Sequence, residues 1–403
     1  MPKGRPLALL QLPDACLLPV LQCLSGDPAS LCSAARAHSK LHQAAVLALS
    51  SITVNVQTQH QLHDSLLPYL AKHSQYTDSI HFRSSVPTYD AARAPSLRQL
   101  PPSLQINTLH FDNMRLQLVG SADGVEGVLG APWLVSLKQL QLSECVLLGR
   151  EQRLAAALSL LPGLQRLRID STQFSDGAYL SSRQTVGLEA EAVQQLQQLT
   201  YLELAGIQLH SAAQPDGPAL QPLQALTRLV DLRLRPSGHH PHDYSISADM
   251  LSELQLLTHL ELSGQVVLHP GALSGSTRLQ HLNLSRCKLT GGAAAEGLLL
   301  SQLQDLQQLT HLDLSEGLLA VGDDTPPAAA FESLTASSML HHLDISQCIL
   351  PAGAWQHMFP AGRQLPRIRS LAAAGVFEPA GRRAVAPNGS LLASCCPGVL
   401  SLD

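Results

Sequence analysis

Aromatic side chains are scarce in this sequence: Phe, Tyr and Trp supply 3% of its 403 residues, although 45% of the chain is hydrophobic. Rings do much of the filling in a usual globular core, so leucine, which recurs throughout, has to take that part. Long basic runs are missing and the net charge is -5, which argues against nucleic acid or an anionic membrane as the main partner, since both demand clustered positive charge. No stretch reaches the roughly 18 uninterrupted apolar residues of a membrane span. The opening "MPKGRPLALLQLPDACLLPVLQCLSG" carries two early cations, but Gln11, Pro13 and Asp14 interrupt the apolar run that a secretory signal needs.

Cysteine is sparse as well. Eight scattered residues do not make a disulfide-stapled secreted scaffold, so the reading is a reducing compartment, cytoplasmic, with nuclear or axonemal sites compatible. Adjacent Cys395 and Cys396 read as free thiols, because a bond between neighbours is strained. There is no CxxC pair for zinc, no Gly-rich phosphate loop after a strand, no G-x-S-x-G elbow and no HExxH. The expectation is a protein that is no enzyme and uses no cofactor, metal or small-molecule substrate. "NLS" at 283 and "NGS" at 388 match the glycosylation acceptor, which a cytoplasmic chain does not use.

What is abundant is one motif. L-x-x-L-x-L-x-x-(N/C)-x-L fits "INTLHFDNMRL" from 106, "LKQLQLSECVL" from 137, "LQRLRIDSTQF" from 164, "LTYLELAGIQL" from 199 and "LVDLRLRPSG" from 229. It returns as "LTHLELSGQVV" from 257, "LQHLNLSRCKL" from 279, "LTHLDLSEGLL" from 309, "LHHLDISQCIL" from 340 and, more weakly, "IRSLAAAGVFE" from 368. Degenerate copies at 49 and 77 precede these, and "PGVLSLD" from 397 follows, which makes thirteen. From 49 to 397 the twelve intervals average about 29 residues. The fourth and sixth positions fall on one face of a short strand and point inward, while the third, fifth and seventh point outward. Segments such as 59–75 and 295–309 carry apolar residues at helical spacing between the strands. Cys145, Cys287 and Cys348 share the ninth position, an inward slot that suits a small buriable side chain.

On this motif the chain resembles leucine-rich-repeat proteins with long, helix-bearing repeats of the ribonuclease-inhibitor kind, over nearly all of residues 49–403. The resemblance implies an α/β horseshoe solenoid, with a parallel concave sheet and helices on the convex side. The chain stops at "LSLD" inside a strand; an open sheet edge of that kind invites association and reads as a protein that continues or whose last rung a partner protects.

Residues 1–48 stand apart from the repeats. "LPDACLLPVLQCL" and "DPASLCSAARAH" each place apolar residues on one helical face, the second opened by Asp27 and Pro28, and a third short helix runs through Leu41, Ala44 and Ala45. This three-helix stretch resembles an F-box, whose opening L-P-x-x-(L)-L-x-x-(I/V)-(L/F)-x-x-L is met by Leu12, Pro13, Leu17, Val20, Leu21 and Leu24. Leu31, Arg36 and Leu41 meet the later part; Cys16 and His38 stand where the family commonly has Leu and Trp. The resemblance implies that Leu12, Pro13, Leu17, Val20, Leu21, Leu24 and Leu31 bind a Skp-family adaptor. The chain would then be the substrate-receptor subunit of a cullin-RING (SCF-type) ubiquitin ligase, with the concave face holding a protein target. The alternative is that the helices only cap the first repeat of a cytoskeletal or axonemal scaffold.

The outward columns define the candidate partner-binding face. One zone collects Arg166, Arg168, Tyr201, Glu203, Arg233 and Arg235, with Asp170 and Asp231 beside them; the other collects His259, Glu261, His281, Asn283, His311, Asp313, His342 and Asp344. Planar guanidiniums suit carboxylates or phosphates on a partner, and equally pair with their own acids to keep the surface soluble. Stacked imidazoles beside carboxylates are competent metal ligands, but a flat ladder does not converge four of them. Four neighbouring histidines also make pH-dependent binding a hypothesis, since they charge near neutral pH.

Overall fold

In the computed structural model the described residues are 51–56, 77–84, 104–118, 132–148, 152–175, 186–210, 220–235, 244–246, 251–264, 266–268, 271–289, 300–316, 328–377, 395–397 and 401–402, with single positions among the first fifty residues and at 70, 127 and 129. They fall into two units, Met1–Gln184 and Thr185–Asp403. The first holds β1 (Ser51–Asn55), β2 (Ser79–Arg83), β3 (Thr108–Asp112), β4 (Gln139–Ser143) and β5 (Arg166–Asp170), parallel and in sequence order. The second holds β6 (Tyr201–Ala205), β7 (Asp231–Arg235), β8 (His259–Leu262), β9 (His281–Asn283), β10 (His311–Asp313), β11 (His342–Asp344), β12 (Ser370–Ala372) and β13 (Ser401–Leu402), also parallel and in order.

Equivalent motif positions lie opposite one another in every copy from 106 to 368 within each unit: Leu140 faces Leu167, and Leu282 faces Leu312. A slip of one residue would turn every leucine outward, and the alternation prevents it. In β4 and β5 the pattern runs exposed, buried, intermediate, buried, intermediate. The inward leucines are closed off almost completely; Leu279, Leu282 and Leu284 are 0%, 0% and 3% exposed, and each such side chain contributes about 1.5–3 kcal/mol through burial. Of the few rings, Phe82 and Phe111 occupy the sixth position of neighbouring rungs and stack at 5.3 Å.

The last copy is in a different register from the one its sequence suggests. Leu402, not Leu400, lies opposite Leu371, so this copy begins two residues later, at Val399, and Leu402 takes the fourth position.

The segments entering the strands also differ from the expectation of helices. Residues 300–305 are helical within the expected 295–309, but the segment 59–75 is described only at Leu70, which is helical and buried. Elsewhere the described helices are short: Gln152–Leu158, Ala190–Gln194 and Ala354–Met358. Pro132–Ser136, Gln221–Ala225 and Ala328–Thr335 are 3-10 turns. The cause is a spacing of three. Leu220, Leu223, Leu226 and Leu229 are all buried, and the N–H of each of the last three donates to the carbonyl three residues back, at 2.9–3.0 Å. The same steps run through Leu251, Leu254 and Leu257 and through Leu303, Leu306 and Leu309. Three residues per turn is the 3-10 period, so leucines at that interval share one side only if the chain tightens.

Two regularities recur at the strand exits. The eighth position is left-handed in Asn113, Glu144, Ser171, Gly206, Gly264, Arg286, Glu316, Gln347 and Gly375, with φ between 49° and 89°. This turns the chain so that the N–H of, for example, Gln347 donates to Ala374 O at 2.8 Å, one rung on. The eleventh position then enters small accessory sheets: Arg115–Leu116, Val146–Leu148 and Gln173–Ser175 in the first unit, Ile207–His210, Val266–Leu268 and Lys288–Leu289 in the second, where Val186–Glu189 and Tyr244–Ile246 also pair into them.

Candidate functional site

The polar columns stand on the face opposite the leucines, and most of their charges already have partners. In the second unit Arg233 donates two hydrogen bonds to Asp231, both at 2.9 Å, and its guanidinium lies 5.4 Å from the centre of the Tyr201 ring. The bond to Asp231 is the main reason its pKa rises above the ordinary value. Arg235 grips Glu261 with two bonds of 2.5 and 2.9 Å and reaches Glu203 at 3.5 Å. Glu203 is only 1% exposed and also accepts the Tyr201 hydroxyl. Burial, then that bond, pushes the Tyr201 phenol up to about 12. These side chains form one ion-paired cluster on β6 to β8.

In the first unit, on β5, Arg168 meets Asp170 at 3.4 Å and Arg166 stands two residues before it. His81 and His110 stack face to face at 3.9 Å. Burial, and then His81, lowers His110 to about 4; burial lowers His81 too.

The histidine column is continuous. Successive rings of His259, His281, His311 and His342 are 5.6, 5.2 and 5.9 Å apart. Thr258 and Thr310 place their hydroxyls 2.9 Å from Nδ1 of His259 and His311, which fixes those ring orientations. Burial and then the neighbouring imidazoles lower His281 and His311 below the ordinary histidine value. Among the described residues no group of His, Cys, Asp and Glu converges as metal ligands.

The fifth-position Asn and Asp side chains serve the backbone. Asn283, Asp313 and Asp344 each accept, through Oδ1, the N–H two residues on, at 2.9 Å, and Asn283 donates to Asp313 Oδ2 at 2.9 Å. These are Asx turns that close the strand ends. Sequence reasoning put these residues in the outward columns and missed that use of them. It also missed His341 and Arg369, which occupy the second position and, with His281, His311 and His342, line an open cleft of about 490 Å³. Long side chains at the strand entrance reach over the face, a signal that the alternation alone does not carry.

The ninth-position cysteines are structural. Cys287 Sγ donates to Leu262 O at 2.8 Å and Cys348 Sγ to Leu314 O at 3.0 Å. Burial pushes the Cys145 thiol up to about 12, and Cys395 and Cys396 are buried thiols.

Of the front-segment residues, Leu17 and Leu21 are helical and 0% and 1% exposed, while Val20 is 41% exposed. Leu12, Pro13, Leu24 and Leu31 lie outside the described residues. Among the described residues no helix is long and apolar enough to cross a membrane.

The sequence pattern named Leucine Rich Repeat matches residues 278–305. A leucine-rich-repeat protein of Leptospira interrogans has a similar structure, with a TM-score of 0.51 and 16% identity over 86% of this chain and 76% of that one. The fold is that of leucine-rich repeats. Less similar are an internalin of Listeria monocytogenes, with a TM-score of 0.45 and 15% identity over 99% of both chains, and an octameric complex of latrophilin 3, Unc5D and FLRT2, with a TM-score of 0.39 and 14% identity over 81% of this chain and 74% of that one. No curated protein matches the sequence. In leucine-rich-repeat terms, each strand with its left-handed exit is one repeat, and the ion-paired cluster and histidine ladder occupy successive repeats.

Proposed function

We propose that this protein is a non-catalytic protein-interaction module whose displayed face, on β6 to β12, binds a protein partner. The observation that carries this is the polar face itself: an ion-paired arginine cluster continuing into a histidine ladder with an open cleft, all on hydrogen-bonded strands that hold the side chains in fixed register. A preorganised surface of this sort loses little entropy on binding. Photo-crosslinkers at positions 281 and 342, against one at the exposed outer position 304, test it. Partner adducts are expected from the face; adducts from 304 alone would sink the reading.

The finer role depends on the front helices. The F-box-like pattern supports a substrate receptor of a cullin-RING ligase, in which a Skp-family adaptor is held at the front. Such a receptor acts by proximity, bringing a target lysine near a ubiquitin-loaded enzyme that other subunits supply. A scaffold role, with the helices as a cap, is favoured by the burial of Leu17 and Leu21, side chains that an adaptor would have to reach. Val20→Asp separates the two, because Val20 is exposed and its replacement leaves the core alone. A receptor co-purifies with the adaptor and loses it in V20D; a scaffold captures no adaptor in either form.

A further inference from the structure

We propose that the cleft at the histidine ladder binds an acidic peptide strand, whose carboxylates engage Arg369 and the imidazoles of His281, His311 and His342, with proton uptake as the peptide seats. This deepens the interaction reading above and rests on it.

The charge inventory points to the occupant. Arg369 is exposed and, among the described residues, makes no ion pair, unlike Arg233, Arg235, Arg286 and Arg363; its guanidinium is available for a bidentate carboxylate contact. The one carboxylate lining the cleft, Asp313, is occupied on both oxygens, by Ser315 N–H and by Asn283. With neutral imidazoles Arg369 and Asp313 cancel, and each proton taken up by the ladder makes the cleft more cationic. At His281 and His311 the surroundings hold the proton off. His259 stacks on His281 from β8, with Arg233 beyond it on β7. His341 and His342 face His311 from the other side. Glu261 favours the charged form of His281 but is engaged by Arg235, and Asp344 is tied to Ser346 N–H. A carboxylate entering the cleft reverses this balance.

Geometry selects a peptide over a compact anion. The rings repeat every 5.2–5.9 Å across four strands, and an extended chain presents same-side groups about 6.5 Å apart, so successive acidic side chains each meet a ring.

The test is calorimetric titration of the full chain with an end-blocked Glu-Ser-Glu-Ser-Glu-Ser-Glu-Ser peptide at pH 6 and pH 8, in two buffers of different ionisation heat. A Lys-Ser peptide of the same length and free glutarate serve as controls. Affinity at pH 6 is expected to exceed that at pH 8, by at most about tenfold for each pKa unit by which the carboxylate raises an imidazole, with net proton uptake. Arg369→Gln should weaken binding at both pH values, whereas His281→Gln/His311→Gln/His342→Gln should remove the pH dependence. Equal affinity at both pH values, an unaffected R369Q, or glutarate or the Lys-Ser peptide binding as well as the acidic one would overturn the proposal. Face crosslinks to a partner with no peptide binding would sink this inference alone; loss of the face crosslinks would sink the interaction reading.

Discussion

A buried thiol in this protein works as a hydrogen-bond donor. In Cys287 and Cys348 the sulfur reaches the sixth-position carbonyl of the rung before, and Thr172 does the same with its hydroxyl, to Leu142 O at 3.5 Å. Cys348→Thr should therefore keep most of the stability, while Cys348→Val, equal in size but without a donor, should lose about 1 kcal/mol; urea denaturation of the two variants decides, and equal midpoints would refute the donor role. The slot was legible in the sequence because three cysteines share one motif position. The role of Asn283, Asp313 and Asp344 was not. An outward Asn or Asp reads the same whether it meets a partner or its own backbone, and only the distance to the N–H two residues on tells them apart.

Among the elements, the strands were the clearest part of the sequence, since alternation with leucine at two fixed positions allows one register only. The exits from the strands were hidden. Their left-handed residue is Asn, Glu, Ser, Arg, Gln or Gly, with no common side chain for the sequence to show. Gly is the type that tolerates this conformation at no steric cost. At Gly375 an added Cβ would meet only ordinary contacts, 3.5 Å from the Gln347 side chain and 4.0 Å from Phe377, so the penalty of Gly375→Ala is backbone strain of about 1 kcal/mol. Gly375→Asn should cost less, since Asn enters this region more readily. Chemical denaturation ranking Ala above Asn in stability would count against the account. The entrances misled because a leucine every third or fourth residue satisfies a helix and a 3-10 turn alike until the run of threes is counted.

For the molecule as a whole, the lowered histidines act in one direction on acid stability. His110 titrates near 4 when folded against about 6.5 when unfolded, so the unfolded chain takes the proton first. Its contribution is whole above pH 6.5 and is lost as the pH falls from there toward 4; His81, His281 and His311 are lowered too and add with the same sign. Melting temperature should fall over that window, and His110→Gln should flatten the fall; an unchanged slope would remove His110 from the account. The stitching between rungs has a consequence of another kind. Among the described residues seven left-handed N–H groups reach forward to the next rung, and Cys145, Thr172, Cys287 and Cys348 add a thiol or hydroxyl bond back to the previous one, so the rungs are joined by links of one recurring kind. Gene duplication or deletion of a single unit would leave the joints intact, and the lineage can lengthen the ladder and repaint its polar columns without redesigning how one step meets the next.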